Sequence, residues 1–330
     1  MEKYIPPFSI TNTMLTLVAE IAEKTGRITS YSSFETKPYL RRNNRIRSIH
    51  SSLAIEANSL SLDEVRSVIN GKAVIGPAKE IQEVKNAYQA YDMLGKFDPY
   101  SLRDIQKMHG IMTYLTLQDS GVFRTHNEGV FNGDMCIFMA PPPRLVPGQM
   151  EALFNWMREV RETVHPLILS SVFHYEFVFI HPFSDGNGRM ARLWQTALLS
   201  EWNPVFQYLP LESRIHEFQD DYYSAIAACH VAGSSDIFIE FMLDKINLTL
   251  DRALEQVLEK DAWLTDAVQK LIGVMEFNTP YTAIQLMRNL GLKSKDNFRK
   301  LYLTPALEKG LIEMSDPDKP TSKHQTYIRK

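Results

Sequence analysis

A twelve-residue segment near the middle of the chain concentrates side chains that handle phosphates and protons. It reads His181-Pro182-Phe183-Ser184-Asp185-Gly186-Asn187-Gly188-Arg189-Met190-Ala191-Arg192. Its two glycines allow bare backbone to approach a ligand, and successive N–H groups at the start of a helix form a cradle for an anion. The segment therefore predicts a phosphate-binding loop that leads into a helix.

The charged residues of this segment each suit one part of such a site. Arg189 and Arg192 lie three positions apart on the following helix, so both guanidiniums leave from the same side, which suits a polyphosphate. Asp185 lies beside the cradle, where a carboxylate can hold a divalent cation that bridges phosphates. His181 is placed to take a proton from an attacking hydroxyl. Together they predict a nucleotidyl- or phosphoryl-transfer site.

Two better-known loops do not fit the segment. A Walker loop requires Lys and Ser or Thr after its glycines, but Arg189-Met190 follows them here. An EF-hand loop would place its first ligand on Phe183 and its closing glutamate on Trp194, which leaves calcium coordination incomplete.

The elements that must position this loop are helical. Apolar residues recur at helical spacing, which predicts a mainly α bundle. The predicted helices are one from Arg47, one beginning over 63–68, and others at 80–94, 101–115, 148–163, 166–180, 188–201, 213–229 and 235–258. The loop thus lies between the helix that ends at Ile180 and the next one.

One stretch, 121–147, breaks the helical pattern. Asn132-Gly133 separates the short apolar pieces Val130-Phe131 and Cys136–Met139, which predicts a β-hairpin. Because an isolated hairpin has no sheet core of its own, it must lie on the helices as a flap.

Length and composition exclude several classes of protein. The chain has 330 residues, 44% of them hydrophobic and 23% charged, with a formal net charge of −3, which predicts about two globular domains. The two cysteines share no motif, so neither a disulfide scaffold nor a cysteine zinc site is expected. The sequence contains no long apolar run and no N-terminal signal pattern. We expect a soluble, cytoplasmic protein that does not contact a membrane.

The last seventy residues are predicted to form a separate module. A short helix opening at Asn278-Thr279-Pro280, a turn at Gly291, a helix over 294–309 and two strands at 311–314 and 325–329 are typical of a winged helix. Residues 291–330 contain nine Lys or Arg and five Asp or Glu, a modest basic excess. Binding of DNA through 260–330 and docking of a protein partner or a second copy both remain open.

The central segment resembles the signature of the Fic (Fido) family, His-x-Phe-x-Asp/Glu-Gly-Asn-Gly-Arg-x-x-Arg, at every defined position. A Gly-x-x-Arg element, Gly121 and Arg124, precedes the hairpin, and a Pro-rich exit at Pro141–Pro143 follows it. The resemblance implies a Fic-type helical bundle with a β-hairpin flap and a small winged-helix domain. It divides the chain into an N-terminal helical region (1–110), a catalytic core (111–259, with the flap at 121–147 and the signature loop at 181–192) and a winged helix (260–330).

What the resemblance implies is transfer of AMP from ATP to a Ser, Thr or Tyr hydroxyl of a protein, with release of pyrophosphate. His181 would be the base and Asp185 the Mg²⁺ ligand. The α- and β-phosphates would lie on Gly186-Asn187-Gly188, with Arg189 helping to hold them, and Arg192 would pair with the γ-phosphate. Phe183 would fill the core beneath the loop.

The resemblance also implies a built-in inhibitor, Ser/Thr-x-x-x-Glu-Gly/Asn, on a helix at about 45–58. Ser52 and Glu56 match its first part, but Ala57 stands where Gly or Asn is usual. A carboxylate on a docked helix that pairs with Arg192 would take the countercharge of the γ-phosphate and misalign ATP. Such a buried charge pair resists separation, because opening it leaves unpaired charges. We therefore expect Glu56 to inhibit the enzyme.

The flap is expected to pair, as a strand, with the segment of the target protein that is modified. Its candidate docking residues are Val130, Phe131, Ile137 and Phe138. Tyr222 and Tyr223 resemble a family tyrosine pair near the adenine.

Three alternatives remain open. The same loop serves relatives that remove AMP or that transfer another phosphate-containing group, and the chain is also compatible with a nucleotide-sensing DNA-binding regulator. The resemblance also leaves open modification of the chain itself and formation of a homodimer.

Overall fold

The structure is a computed structural model. It describes residues 4–30, 38–132, 135–263, 265–276, 279–317, 319–320, 322 and 325–329, and only the backbone of 30, 38–40, 130–132, 135–137 and 256–263. The chain divides into two compact units, Met1–Leu254 and Glu255–Lys330. The predicted boundaries at residues 110 and 260 stay predictions.

The first unit is built from helices. In chain order they are α1 (Asn12–Ser30), α2 (Pro38–Ile55), α3 (Leu62–Ile69), α4 (Ala78–Asp92), α5 (Leu102–Met112), α6 (Val146–Val160), α7 (Pro166–Ile180), α8 (Asn187–Trp202), α9 (Leu211–Glu217), α10 (Gln219–Ala232) and α11 (Asp236–Trp263), whose last residues, from 255, belong to the second unit. The prediction of a mainly α protein is confirmed. No helix in the described part of the chain is both long and apolar enough to span a membrane.

Helix starts follow the capping residues. Ser61 and Glu64 form a reciprocal capping box at α3. At α5, Ser101 accepts a hydrogen bond from the Asp104 N–H, but the Asp104 carboxylate accepts from the N–H of Asp98, so only half of a box is present.

Two predicted helix bounds were wrong. Helix α2 begins at Pro38 rather than near Arg47. The single helix predicted over 213–229 is divided at Phe218, whose φ and ψ are −114° and 41°. No glycine or proline marks that break. The Phe218 ring lies 3.8 Å from the Lys245 ammonium on α11, so a tertiary contact accompanies the break that periodicity does not reveal.

Helices α7 and α8 form an antiparallel pair at the centre of the first unit. Leu167 and Phe173 on α7 and Leu193 and Trp194 on α8 are buried to 1% exposure or less. Because α7 is apolar on all sides, it is enclosed by its neighbours rather than lying at the surface. The signature loop spans the short connection between two rigid helices, which fixes both of its ends.

The flap is a two-stranded antiparallel sheet between α5 and α6, with strands β1 (Gly129–Asn132) and β2 (Met135–Met139). The register shifts between Val130 and Phe131, which places an irregularity in β1. The strands predicted from sequence are present, whereas Gly133 in the predicted turn lies outside the described residues.

The second unit combines helices with a three-stranded sheet. Its elements are α12 (Asp266–Gly273), β3 (Pro280–Thr282), α13 (Ala283–Asn289), α14 (Lys295–Phe298), a π-helical turn (Arg299–Leu303), α15 (Thr304–Glu308), β4 (Ile312–Met314) and β5 (Thr326–Arg329). The sheet order is β3-β5-β4.

The sequence prediction of a helix from Asn278-Thr279-Pro280 was wrong, because 280–282 pair with β5 and Thr282 caps α13 through a capping box with Gln285. Asn278 itself lies outside the described residues. The helix predicted over 294–309 contains the π-helical turn just before Pro305, whose ring would crowd the carbonyl of Leu301 in a regular α-helix.

Candidate active site

The signature loop turns sharply at both ends. His181 ends α7 with φ of 52°, a left-handed conformation that a residue with a Cβ rarely adopts. Gly186 precedes α8 with φ of 80°, which favours glycine at that position. Strained backbone of this kind occurs where the surrounding structure holds a functional geometry in place.

The His181 ring has one nitrogen engaged and one available. Its Nδ1 lies 3.3 Å from the Val178 carbonyl, to which a protonated Nδ1 donates. Burial lowers the pKa of His181 below its ordinary value, so the ring is neutral near pH 7. The ring lines the main cavity of this region, and its Nε2 is the nitrogen left to accept a proton.

Asn187 holds the loop through its side chain. Its Oδ1 accepts from the Phe183 N–H at 3.0 Å, and its Nδ2 donates to the Phe183 carbonyl at 2.7 Å. The Asn187 amide is therefore used within the loop and fixes its shape.

A histidine that sequence reasoning missed supports the loop from inside. The His109 ring on α5 stacks on Phe183 with centroids 3.6 Å apart. Its Nδ1 accepts from the Gly121 N–H at 2.8 Å, which requires Nε2 to carry the proton and donate to the Asp185 carbonyl at 2.9 Å. Burial lowers the pKa of His109 to about 4, so this neutral tautomer persists at physiological pH.

Arg124, from the predicted Gly-x-x-Arg element, ties the flap to the loop. Its Nε donates to the His181 carbonyl at 2.6 Å, and its Nη2 donates to the carbonyls of Pro141 and Ile180. The Arg124 N–H also donates to the Pro182 carbonyl at 2.9 Å. This arginine is 2% exposed and acts as a structural clamp.

Asp185 and Arg189 form an ion pair that two residues of α4 extend. Arg189 Nη2 donates to Asp185 Oδ1 at 3.0 Å, and Arg189 Nη1 lies 3.5 Å from Glu83 Oε1. Lys79 Nζ lies 3.9 Å from Asp185 Oδ2. Burial alone would raise the pKa of Asp185, but Arg189, the Gly186 N–H and Lys79 together hold it below its ordinary value. The carboxylate is therefore ionised and half-exposed, as a cation ligand must be.

Arg192 is held by the helix predicted to inhibit. Its Nη2 donates to Glu56 Oε1 at 2.7 Å and to the Ser52 carbonyl at 2.9 Å, and its Nε donates to Ser52 Oγ at 3.0 Å. Burial would lower the pKa of Arg192, yet the Glu56 carboxylate, together with Tyr222 and Tyr91, raises it above its ordinary value. The structure thus brings Ser52, Glu56 and Arg192 together.

The Glu56 carboxylate also sits over the start of α8. A Cβ on Gly188 would lie 2.2 Å from Glu56 Oε1, so only glycine admits this approach. A helix N-terminus attracts negative charge through its free N–H groups and dipole. Glu56 therefore occupies a place built for an anion.

Both signature arginines keep buried N–H groups that form no hydrogen bond to any of the described residues. These are Nε and Nη1 of Arg189 and Nη1 of Arg192. Since buried polar groups are nearly always hydrogen-bonded, such orphans point to a ligand that supplies acceptor oxygens. The guanidiniums fit phosphate oxygens in geometry and charge.

The end of helix α2, which is predicted to be inhibitory, carries local strain. Ala57 has φ of 63° and is followed by Asn58, whose N–H donates to the Leu53 carbonyl while that of Ala57 donates to Ala54. This is a Schellman motif, in which the left-handed position favours glycine or asparagine. The physical reason for the Gly or Asn of the inhibitory motif is therefore present here, although alanine fills the position.

The cavity beside the loop measures about 570 Å³ and is mostly apolar. Its lining includes His181, Arg192, Tyr222 and Tyr223. Tyr222 is buried and its hydroxyl lies 2.9 Å from His174 Nε2, whereas Tyr223 is half-exposed. The cavity thus places a flat apolar wall beside the anion site, an arrangement that suits a nucleotide base.

The flap covers one side of this cavity. The Phe138 ring stacks on His230 at 4.2 Å and packs on Phe179, and it lines the cavity. The side chains of Val130, Phe131 and Ile137 lie outside the described residues. A role of these four residues in docking a target stays a prediction.

Comparison with known proteins places this architecture in a family. A profile of the Fic/DOC family matches residues 99–199, and one for the C-terminal domain of the Fic-like "Filamentation induced by cAMP protein" matches 266–328. A crystal structure of a Fic family protein from Desulfovibrio desulfuricans G20 is 41% identical, with a TM-score of 0.75, and the match covers 99% of this chain and 98% of that one. The chain belongs to the Fic family.

Curated relatives of this Fic chain include proteins named as adenylyltransferases. "Protein adenylyltransferase Fic" from Nematostella vectensis is 30% identical over 241 residues, which is 66% of this chain and 52% of that protein. "Protein adenylyltransferase fic-1" from Caenorhabditis elegans is 30% identical over 220 residues, or 62% and 40%. The Fic chain spans about half the length of these relatives or less.

A structure of Fic-1 from C. elegans shares the fold with this Fic chain at 22% identity. The TM-score is 0.57, and the match covers 74% of this chain and 75% of that one.

Sequence reasoning missed the residues that act on the signature from other helices. His109, Glu83 and Lys79 lie 76, 106 and 106 positions away from their partners Asp185, Arg189 and Asp185. The one local signal was for His109, whose place among Ile105, Met108 and Met112 on an apolar helix face indicates burial.

Proposed function

We propose that this Fic protein transfers AMP from ATP to a hydroxyl group of a protein. The observation that carries the proposal is the position of the Glu56 carboxylate, which accepts a hydrogen bond from Arg192 and lies against Gly188. This position marks an anion site, and the neutral His181 lies at the other end of the same short loop. The names of the curated relatives support the same activity.

In the proposed reaction, each step can be given to a group at this site. The hydroxyl oxygen of a Ser, Thr or Tyr attacks the α-phosphorus, and the bond from that phosphorus to the oxygen bridging to the β-phosphate breaks. The hydroxyl proton passes to Nε2 of His181, and pyrophosphate leaves with the bridging oxygen. The hydrogen bond from Nδ1 to Val178 keeps Nε2 in the form that accepts a proton.

The phosphates would lie on the start of α8. Backbone N–H groups of 186–188 would hold the α- and β-phosphates, and the orphaned N–H groups of Arg189 and Arg192 would bind their oxygens and those of the γ-phosphate. Asp185 fits Mg²⁺, since its carboxylate is ionised and its Oδ2 has only a distant ammonium nearby. A Mg²⁺ ion there would neutralise charge on the phosphates.

With Glu56 on Arg192 the enzyme would be inhibited. Arg192 donates to Ser52 and Glu56 and is 1% exposed at its side chain, so the γ-phosphate can reach it only after Glu56 leaves. The unpaired edges of the flap would present the target hydroxyl by pairing with an extended segment.

The test is label transfer by the Glu56→Gly variant. With Mg²⁺, we expect protein-bound label from α-labelled ATP, on the variant or on proteins of an added cell extract, and none from γ-labelled ATP. Adding His181→Ala should abolish the label, while adding His216→Ala, on α9 outside the cavity lining, should not. Label from γ-labelled ATP, or transfer that survives His181→Ala, would contradict the proposal.

A further inference from the structure

The C-terminal unit carries a polarised charge. Residues 288–300 contain five basic residues and one acidic residue, while the rest of 255–330 contains seven basic and nine acidic. The excess of positive charge is thus confined to the end of α13, the turn after it and the start of the next helix. Charge segregated in this way orients a domain toward a polyanion.

All five basic side chains are available. Arg288, Lys293, Lys295, Arg299 and Lys300 are exposed, and none forms an ion pair with another residue that the structure describes. Elsewhere in the unit, Lys270 and Lys319 pair with neighbouring aspartates. The cations of 288–300 therefore retain their full charge for a partner.

The fold presents these cations on the outer side of a helix. Phe298, Leu303 and Ala306 belong to the core of the unit, which fixes the buried face of the segment from α14 to α15. Lys295 and Arg299, one turn apart, consequently lie on the exposed face. Helix α13, the turn at Gly291 and this second helix, followed by strands β4 and β5, keep the order of elements in a helix-turn-helix, whose second helix enters the major groove of DNA.

We propose that the C-terminal unit binds duplex DNA, with the segment from α14 to α15 in the major groove. The five cations would contact phosphates, and Asn297 at the start of the helix would face base edges, where an amide suits adenine. Duplex RNA is a poorer fit because its major groove is too narrow for a helix. The proposal is independent of the catalytic activity.

The salt dependence of binding gives the test. The full chain is titrated into a labelled random-sequence DNA duplex, and fluorescence anisotropy is read from 50 to 200 mM salt. With four or five phosphate contacts the log–log slope is about −4, so the affinity falls by roughly two orders of magnitude across this range. Lys295→Gln/Arg299→Gln should reduce the slope by about 2, since two contacts are lost.

Two further variants sharpen the test. Lys270→Gln/Lys319→Gln removes the same number of positive charges, but from lysines that are already ion-paired, and should leave the slope unchanged. Asp296→Asn removes the one acidic group of 288–300 and should tighten binding at low salt.

Three results would overturn the proposal. They are no duplex binding at 50 mM salt, equal effects of the two double variants, and RNA duplexes bound as tightly as DNA. If a protein partner instead requires Lys295 and Arg299 while DNA does not bind, the surface is a protein-docking site and the proposal is wrong.

Discussion

The two sides of the signature loop are held in different ways. On the inner side, His109 stacks on Phe183 and Asn187 closes on the same backbone, so each polar group has a neutral, buried partner. On the outer side, Glu56, just after α2, and Glu83, on α4, make ion pairs with arginines that keep buried N–H groups without a hydrogen bond to the described residues.

This difference separates contacts that stabilise the loop from contacts that can change when a ligand binds. The inner contacts fix the loop whatever is bound, because breaking them would strand buried hydrogen-bonding groups. The outer carboxylates hold places that a phosphate can take, since phosphate offers the same charge and more acceptor oxygens. Changes on the inner side should therefore cost stability, and changes on the outer side should alter how the protein responds to nucleotide.

The largest effect is expected for His109→Ala. It removes the ring that stacks on Phe183 and leaves the Gly121 N–H and the Asp185 carbonyl without partners, so the free energy of unfolding should fall by about 3–5 kcal/mol. Urea denaturation measures it, with Lys107→Ala on the exposed face of α5 as the control, expected within about 0.5 kcal/mol of wild type. If His109→Ala lowers the free energy of unfolding by less than about 1 kcal/mol, the inner contacts do not stabilise the fold as proposed.

The outer side should behave differently when Glu56 is neutralised. Glu56→Gln leaves the buried Arg192 without its countercharge and should lower stability by about 1–3 kcal/mol, less than for a fully enclosed pair because a third of the Glu56 side chain is exposed. Mg-ATP should then raise the melting temperature of the variant more than that of wild type, since phosphate replaces the lost carboxylate. Equal shifts in the two proteins would contradict this account.

A smaller effect is expected for Glu83, which lies 3.5 Å from Arg189 and accepts a hydrogen bond from Asn58. In the Glu56→Gly background, Glu83→Gln should lower the KM for ATP several-fold, because it removes a competitor for Arg189 worth about 1 kcal/mol. Glu80→Gln is the matched control: Glu80 lies on the same helix and bonds Ser59 instead. A raised KM would show that Glu83 positions Arg189 rather than competing for it.

The smallest effect concerns the end of helix α2, which we propose to be inhibitory. Ala57→Gly relieves a left-handed alanine and should stabilise the protein by up to about 1 kcal/mol. The same change should slow basal label transfer by the otherwise unaltered protein, because it favours the docked helix. Thermal unfolding and label transfer measure the two effects, and a destabilised variant would contradict the conformational argument.

The sequence carried the helical architecture and the signature loop because both depend on local patterns. Apolar spacing marks α7 and α8, and the loop residues 181–192 follow one another directly. The pairing of Glu56 with Arg192, 136 positions away, was expected only from family resemblance, and the structure brings the two atoms to 2.7 Å.

The remaining contacts depend on tertiary packing. His109 meets Asp185 only because α5 lies against α8, and Glu83 meets Arg189 only because α4 is folded onto the end of α2. Strand β3 was mistaken for the start of a helix because its hydrogen bonds are made to β5, over forty residues later. The spacing of apolar residues within one segment does not indicate which distant residues that segment will contact.

The central claim is that the place now filled by the Glu56 carboxylate is a nucleotide phosphate site. A crystal structure of the Glu56→Gly variant with Mg-ATP tests it most directly. We predict phosphate oxygens on Arg192 and on the N–H groups at the start of α8, with the α-phosphorus facing Nε2 of His181. If Arg192 remains turned to Ser52 alone, and the nucleotide is absent or bound elsewhere, the claim is contradicted.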